Sequence, residues 1–272
     1  MRGVVGRPAS SSAFDLHRWQ PSAGTAAFVE HFWSVTWDLR GQQPFDSAVI
    51  TFPAMHLTHE WGEDAVRHGV SLPSTLVHGV VERVFITTLS ERGWVVGARF
   101  RPGGFTARFG GDASAMTGRV RQVGDVLAQT VDTDIGIDID DDVDSAWSQL
   151  DALIARDGAP DATYEALTGL VERVRDDDRI HRVEQVMAHS PWSVRTTQRV
   201  FRRYIGVPVK WVLCRYRLQN AALEIETDPD VDFADLAVRL GWYDQAHFIN
   251  DFRSMLAQTP GEYAAMYGQR PL

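Results

Sequence analysis

The sequence predicts an α+β multidomain protein, with a β-rich N-terminal half and an all-α C-terminal third carrying two helix-turn-helix units. Three observations predict this. Up to about residue 125, short apolar and aromatic runs recur between Gly, Pro, Asp and Ser, the spacing of strands and turns. From residue 179 the apolar period becomes helical, and caps and breakers cut it into short helices. Charge is also segregated: residues 179–217 hold nine Lys+Arg and one acid, Glu184, in a chain whose net charge is −9.

The length, 272 residues, suits two ordinary domains. Apolar residues make up 44% and charged residues 23%, a soluble globular profile. No run of eighteen apolar residues is present, so no membrane span is expected. The opening MRGVVGRPASSSAF lacks the apolar core of a secretory signal, and the expected location is cytoplasmic. Cys214 is the single cysteine. It can form neither an internal disulfide nor a cysteine zinc cluster, and its apolar neighbours Trp211, Val212 and Leu213 suit a small buried hydrophobe.

Residues 1–129 are assigned to a β-rich domain. Its strands come from FVEHFWSVTWDL, SAVITFP, HLTHEW, RVFITTL and WVVGARF. In WSVTW, Trp33, Val35 and Trp37 share one strand face, opposite Ser34 and Thr36. A short helix is expected near Val123–Leu127. His56 and His59 in HLTHEWG invite a metal reading, but residues i and i+3 of a strand point to opposite faces. No metal ligand and no cofactor are therefore assigned. Trp33, Trp37, Trp61 and Trp94 either pack a core or line an effector pocket. Arg99 and Arg101 either hold an anionic ligand or make structural ion pairs.

Residues 130–176 read as an acidic helical connector. Its first part, 130–146, has seven aspartates without the order of a calcium loop. The alternating Ile135, Ile137 and Ile139 leave a strand open there. Trp147–Ile154 and Tyr164–Val174 follow as amphipathic helices, and Asp176–Asp178 open the next module as an N-terminal cap.

Residues 177–269 carry the reader. Val183, Val186 and Met187 form one apolar stripe, and Pro191 breaks that helix. Ser193 caps the next helix, with Val194, Thr197, Phe201 and Tyr204 as its core face. Gly206 ends it, and Pro208 starts a helix from Val209 to Thr227. The pattern repeats with Leu236, Ala237 and Leu240, then Gly241, then a helix capped by Asp244 with Phe248, Phe252 and Met255 inside. Thr259-Pro260 starts a last short helix. Arg, Gln and Asn on the exposed faces suit guanine, adenine and phosphate. A nineteen-residue connecting helix would be about 28 Å long, against roughly 34 Å for one turn of DNA. Two recognition helices on one such connector would reach successive major grooves.

Residues 179–267 resemble the DNA-binding domain of the AraC/XylS family. The resemblance rests on Ser193-x-Arg195 through Arg199-x-Phe201, Gly206-x-Pro208 and Arg215-x-Arg217-Leu218-x-x-Ala221. It continues through Gly241-Trp242-x-Asp244-Gln245-x-His247-Phe248-x-x-x-Phe252 and Thr259-Pro260-x-x-Tyr263. It implies seven helices, two recognition helices and regulation of promoters. By position, it makes Arg195, Gln198 and Arg199 base-reading residues of the first unit and Gln245, Ala246 and Asn250 those of the second. Ser193, Thr196 and Arg202 beside the first set, and His247 beside the second, are further DNA-binding candidates. Asn250 stands where the family usually has Arg, Ala246 where Ser is common, and Leu256-Ala257 where a Gly often precedes the final Thr/Ser-Pro. In the N-terminal half, HFW at 31–33, Phe52-Pro53 and Gly97 to Gly104 resemble the sensor part of such regulators and imply that residues 1–129 are a cupin-like β-domain that holds an effector or mediates dimerisation.

The expected partners are double-stranded promoter DNA, RNA polymerase, a small-molecule effector and a second copy of the chain, with no membrane. No enzymatic activity is expected, since GxSxG, P-loop and dinucleotide signatures are absent. Two alternatives stay open: a metal-dependent cupin-type enzyme with a DNA-targeting domain, and an interaction module with a degenerate reader.

Overall fold

Side-chain alternation organises the N-terminal half of the computed structural model, which describes residues 4–5, 13–49, 52–127 and 142–268. Its strands are β1 (Val4–Val5), β2 (Asp15–Trp19), β3 (Val29–Asp38), β4 (Phe45–Val49), β5 (His56–Gly62), β6 (Val66–Arg67), β7 (Val70–Ser71), β8 (Ser74–His78), β9 (Phe85–Leu89), β10 (Arg92–Phe100) and β11 (Val120–Gln122). Six of them form one antiparallel sheet in the order β11-β8-β5-β10-β3-β2, a second sheet runs β1-β4-β9, and β6-β7 is a hairpin. Trp33, Val35 and Trp37 of β3 face the space between the two larger sheets, as their period of two requires. Phe32, Leu57, Val77, Val96, Ala98 and Phe100 point the other way and are buried in the main core. Both faces of the large sheet are therefore covered, one by the smaller sheet and one by helices.

Ten helices follow among the described residues. They are α1 (Gly104–Phe109), α2 (Val123–Leu127), α3 (Val143–Ile154), α4 (Ala162–Asp176), α5 (Val183–His189), α6 (Val194–Ile205), α7 (Val209–Thr227), α8 (Phe233–Arg239), α9 (Gln245–Leu256) and α10 (Pro260–Gly268). Residues 177–268 hold six of these helices instead of the expected seven; α4, in the segment read as the connector, packs on α5, α6 and α7 and would be the seventh. Trp147 of α3 stacks on Trp19 and meets Phe32 edge-on, sealing α3 to the sheet.

The apolar residues form two large cores, and their border lies inside α7. The first runs from Phe28 and Phe100 through α1, α3, α4 and α6 to Val209, Val212, Leu213 and Tyr216. The second begins at Leu218 and gathers Ala221, Ala222, Ile225, Leu236, Trp242, Phe248, Phe252 and Tyr263. The first helix-turn-helix unit thus shares a core with the β-rich half, while the second has its own.

Three expectations need correction. Val194 is 60% exposed, because it lies in the first turn of α6; the buried face is Thr197, Val200, Phe201 and Ile205, with Tyr204 only half-buried. Met255 is also half-buried, and Leu256 takes the core position. Asp176 ends α4 and Asp177 caps its C-terminus, so the aspartates close one helix instead of opening the next. The Ile135–Ile139 alternation and most of the acidic run fall outside the described residues.

Candidate nucleic-acid interface

Helix α6 starts where Ser193 Oγ accepts from Thr196 N, which satisfies one of the free N–H groups of the first turn. It stops at Gly206, whose φ of +100° places it in the left-handed region. Between these points Thr197, Val200, Phe201 and Ile205 anchor the inner face. Arg195, Arg199 and Arg202 are exposed, and Thr196 and Gln198 are half-exposed on the same outer surface. Among the described residues, none of these arginines takes part in an ion pair. Arginines without a carboxylate partner keep their donors for an external acceptor.

The basic segment is smaller in space than in sequence. Three of its nine cations are engaged within the protein. Arg215 is fully buried, with burial pulling its guanidinium down to about 10, and its Nη1 donates to Met255 O at 3.4 Å. Arg217 lies 3.9 Å over the Trp242 ring and donates to Leu240 O. Arg179 pairs with Asp177. Arg215 and Arg217 instead fasten the second unit to α7.

In the second unit Asp244 Oδ1 accepts from His247 N at 2.7 Å and caps α9. Gln245, Ala246, His247 and Asn250 are all exposed around its first turns. His247 Nε2 lies 3.5 Å from Asp251 Oδ2, which also accepts from Trp242 Nε1. Arg239 is held by Glu224 and Asp235. This surface offers polar groups but little free positive charge. Helix α7, nineteen residues long, joins the two units as one continuous segment.

Two threonine hydroxyls tie the end of α6 to the N-terminal half. Thr106 Oγ1 donates to Tyr204 O at 3.1 Å, and Thr117 Oγ1 donates to Gly206 O at 2.8 Å. Both land on the last turn of the helix, where carbonyls lack helical partners. A Cβ on Gly206 would lie 2.8 Å from Thr117 Oγ1 and 3.0 Å from Ala113 O.

Between the two larger sheets lies a cavity of about 200 Å³. Trp33, Val35, Trp37, Val49 and Phe85 make its wall apolar, and Arg18, His31, His56, Arg67 and Arg99 add nitrogen donors. Trp61 and Trp94 are not among the lining residues. Arg99 pairs with Glu30 at 2.9 Å and covers the Phe52 ring, whereas Arg101 donates to Ala26 O. Burial, then Arg99 and Arg18, push the His31 imidazole down to about 4, so it is neutral at pH 7. Glu60, His68 and His78 converge on the same wall. His56 faces the cavity, and His59 of the same strand bonds Thr75 on the opposite face. The convergent trio was not legible from spacing, because only strand register and the β6-β7 hairpin bring it together.

Two family models match the chain. Residues 17–122 match a domain of unknown function (DUF6597), and residues 188–266 match a helix-turn-helix domain. A curated relative, the HTH-type transcriptional activator AarP of Providencia stuartii, is 28% identical over 81 residues. The match covers 30% of this chain and 59% of the relative's length. The C-terminal part of the chain is thus similar to a helix-turn-helix domain and to part of a transcriptional activator. The matched helix-turn-helix segment runs from the end of α5 into α10 and so contains both helix-turn-helix units. Among solved structures, ToxT from Vibrio cholerae is similar at 12% identity and a TM-score of 0.41, covering 94% of this chain and 99% of that one. A second ToxT structure, described as bound to an unsaturated fatty acid, has 12% identity and a TM-score of 0.37, covering 96% and 94%. No described helix is long and apolar enough to cross a membrane.

Proposed function

We propose that the protein is a sequence-specific DNA-binding regulator of transcription, acting in the cytoplasm. Its reader, residues 177–269, docks α6 and α9 in successive major grooves. The observation that carries this reading is the row Arg195, Arg199 and Arg202 on α6, exposed and without ion-pair partners among the described residues. Arg195 and Arg199 suit bidentate contacts to guanine, and Arg202 suits phosphate. Ser193 and Thr196 lie at the helix N-terminus, where phosphate is favoured. The first unit supplies most of the affinity, because the second has few free cations. Asn250, in place of the usual Arg, reads adenine, with Gln245, Ala246 and His247 along the same groove. The likeness of residues within 188–266 to a transcriptional activator supports the regulatory role.

The β-rich half is the sensing part of this reading. A small molecule in the cavity would shift the sheet, and the hydrogen bonds of Thr106 and Thr117 would pass that shift to the end of α6. RNA polymerase and a second copy of the chain are the protein partners it implies, and no catalysis is assigned.

The test is selection from random duplexes by the full chain, followed by sequencing. A recurrent motif with two patches about one helical turn apart, and affinity falling steeply with salt, is the expected outcome. Binding that enriches no sequence would refute specific reading.

A further inference from the structure

We propose that Glu60, His68 and His78 form a site for one divalent first-row transition ion of the zinc, cobalt, nickel or iron(II) kind. Its open coordination position faces the cavity between the sheets. The proposal is independent of DNA reading.

Geometry carries it. One ligand atom from each residue lies within 4.8 Å of the others. A tetrahedral ion with nitrogen and oxygen ligands near 2.1 Å sets neighbouring donors about 3.4 Å apart. Here His78 Nε2 is 3.2 Å from Glu60 Oε1, a hydrogen bond that an ion would replace, and His68 Nε2 is 3.8 Å from Glu60 Oε2, so the two imidazoles approach the two oxygens of one carboxylate. The second distance is too long for a hydrogen bond. His68 thus stands near the carboxylate without a hydrogen bond to it.

The donors are held before any ion arrives. Glu60 and His78 belong to the neighbouring strands β5 and β8; the register pairs Glu60 with Ser74 and His78 with His56, and the two side chains reach along the ladder to meet beside Thr58. His68 sits in the two-residue turn between β6 and β7, with φ +54°. Phe85 lies against both imidazoles, at ring distances of 5.7 and 6.0 Å. Thr58 Oγ1 donates to Glu60 Oε1 at 2.9 Å, and Arg67 reaches Oε2 at 3.3 Å. Partners of this kind orient a ligating carboxylate. Arg67 is shared with Asp64 at 3.7 Å, so two carboxylates face one guanidinium and negative charge is left to meet a cation.

The chemistry narrows the ion. Two imidazoles and one carboxylate suit borderline metals, whereas calcium and magnesium call for oxygen ligands. Three protein ligands leave a position open, as in zinc sites that bind an exchangeable water or substrate. In this chain that position opens on Trp33, Val35, Val49 and Phe85, so the fourth ligand would be a small molecule with an oxygen or nitrogen donor and an apolar body.

The test is titration of the full, chelator-stripped chain with Co²⁺, read by its ligand-field bands and by metal content. One ion per chain is expected, released by acid as the imidazoles protonate. His78→Ala and Glu60→Gln should each weaken binding roughly tenfold or more. His68→Ala changes a turn residue outside the large sheet and gives the same readout if the buried variants fail to fold. His17→Ala, on an exposed strand position, should leave binding unchanged. A wild-type chain that binds no Co²⁺, or binds it no better than His68→Ala, would overturn the proposal.

Discussion

At the scale of single residues, backbone conformation and partnering decide what each side chain can do. Ala257 caps α9 with φ +59°, a left-handed conformation that costs a non-glycine residue about 1–2 kcal/mol. Ala257→Gly should therefore raise the melting temperature of the second unit by relieving up to about 1 kcal/mol of net strain, readable by calorimetry. Gly241 has the opposite constraint. Its φ is +81°, and a Cβ would lie 2.4 Å from the His181 ring. Gly241→Ala should destabilise by about 2 kcal/mol or more and loosen the contact between the units. Burial and the nearby Asp251 carboxylate push the Cys214 thiol up to about 12. At pH 8 it should react with iodoacetamide only after unfolding, and rapid labelling of the native chain would contradict that burial.

At the scale of elements, Gly206 is the junction between α6 and the β-rich half. Gly206→Ala should lower stability by about 1–2 kcal/mol and weaken DNA binding, because strain and the Thr117 contact act on the same turn. Elements that depend on local signals were legible in the sequence. The start of α7 follows from Pro208 before it, and the caps at Ser193 and Asp244 sit where their side chains predict. The face of α6 was misjudged by one turn, since a helical stripe does not reveal that its first residue projects beyond the core. The cavity and the Glu60, His68 and His78 cluster were not legible. Their members are brought together by the pairing of β5 with β8 and by the β6-β7 turn, a register that no local pattern encodes. Burial of Arg215 was hidden in the same way, because a basic segment in sequence does not show which cations the fold uses.

At the scale of the whole molecule, the two cores divide the chain at a different point from the composition. Acidic and basic runs suggest a break near residue 177, yet apolar packing continues from the β-rich half through α6 and breaks inside α7. The second unit should then unfold as a separate cooperative step. Phe252→Ala, at a fully buried position, should cost about 3–5 kcal/mol and lower only that transition in calorimetry of the full chain. A single transition shifted as a whole would show that α7 couples the cores more tightly than their packing implies. In the proposed reading this division would link sensing to DNA contact: α6 shares a core with the β-rich half, so a change at the sheet would reach it directly.

The most direct measurement compares Arg199→Ala with the wild-type full chain on the duplex selected from random sequence and on a scrambled duplex of equal length. If α6 reads bases, the selected duplex should lose about 1–3 kcal/mol of discrimination at one base pair, with a much smaller loss on the scrambled duplex. An equal loss on both, or none on either, would contradict sequence reading by this helix.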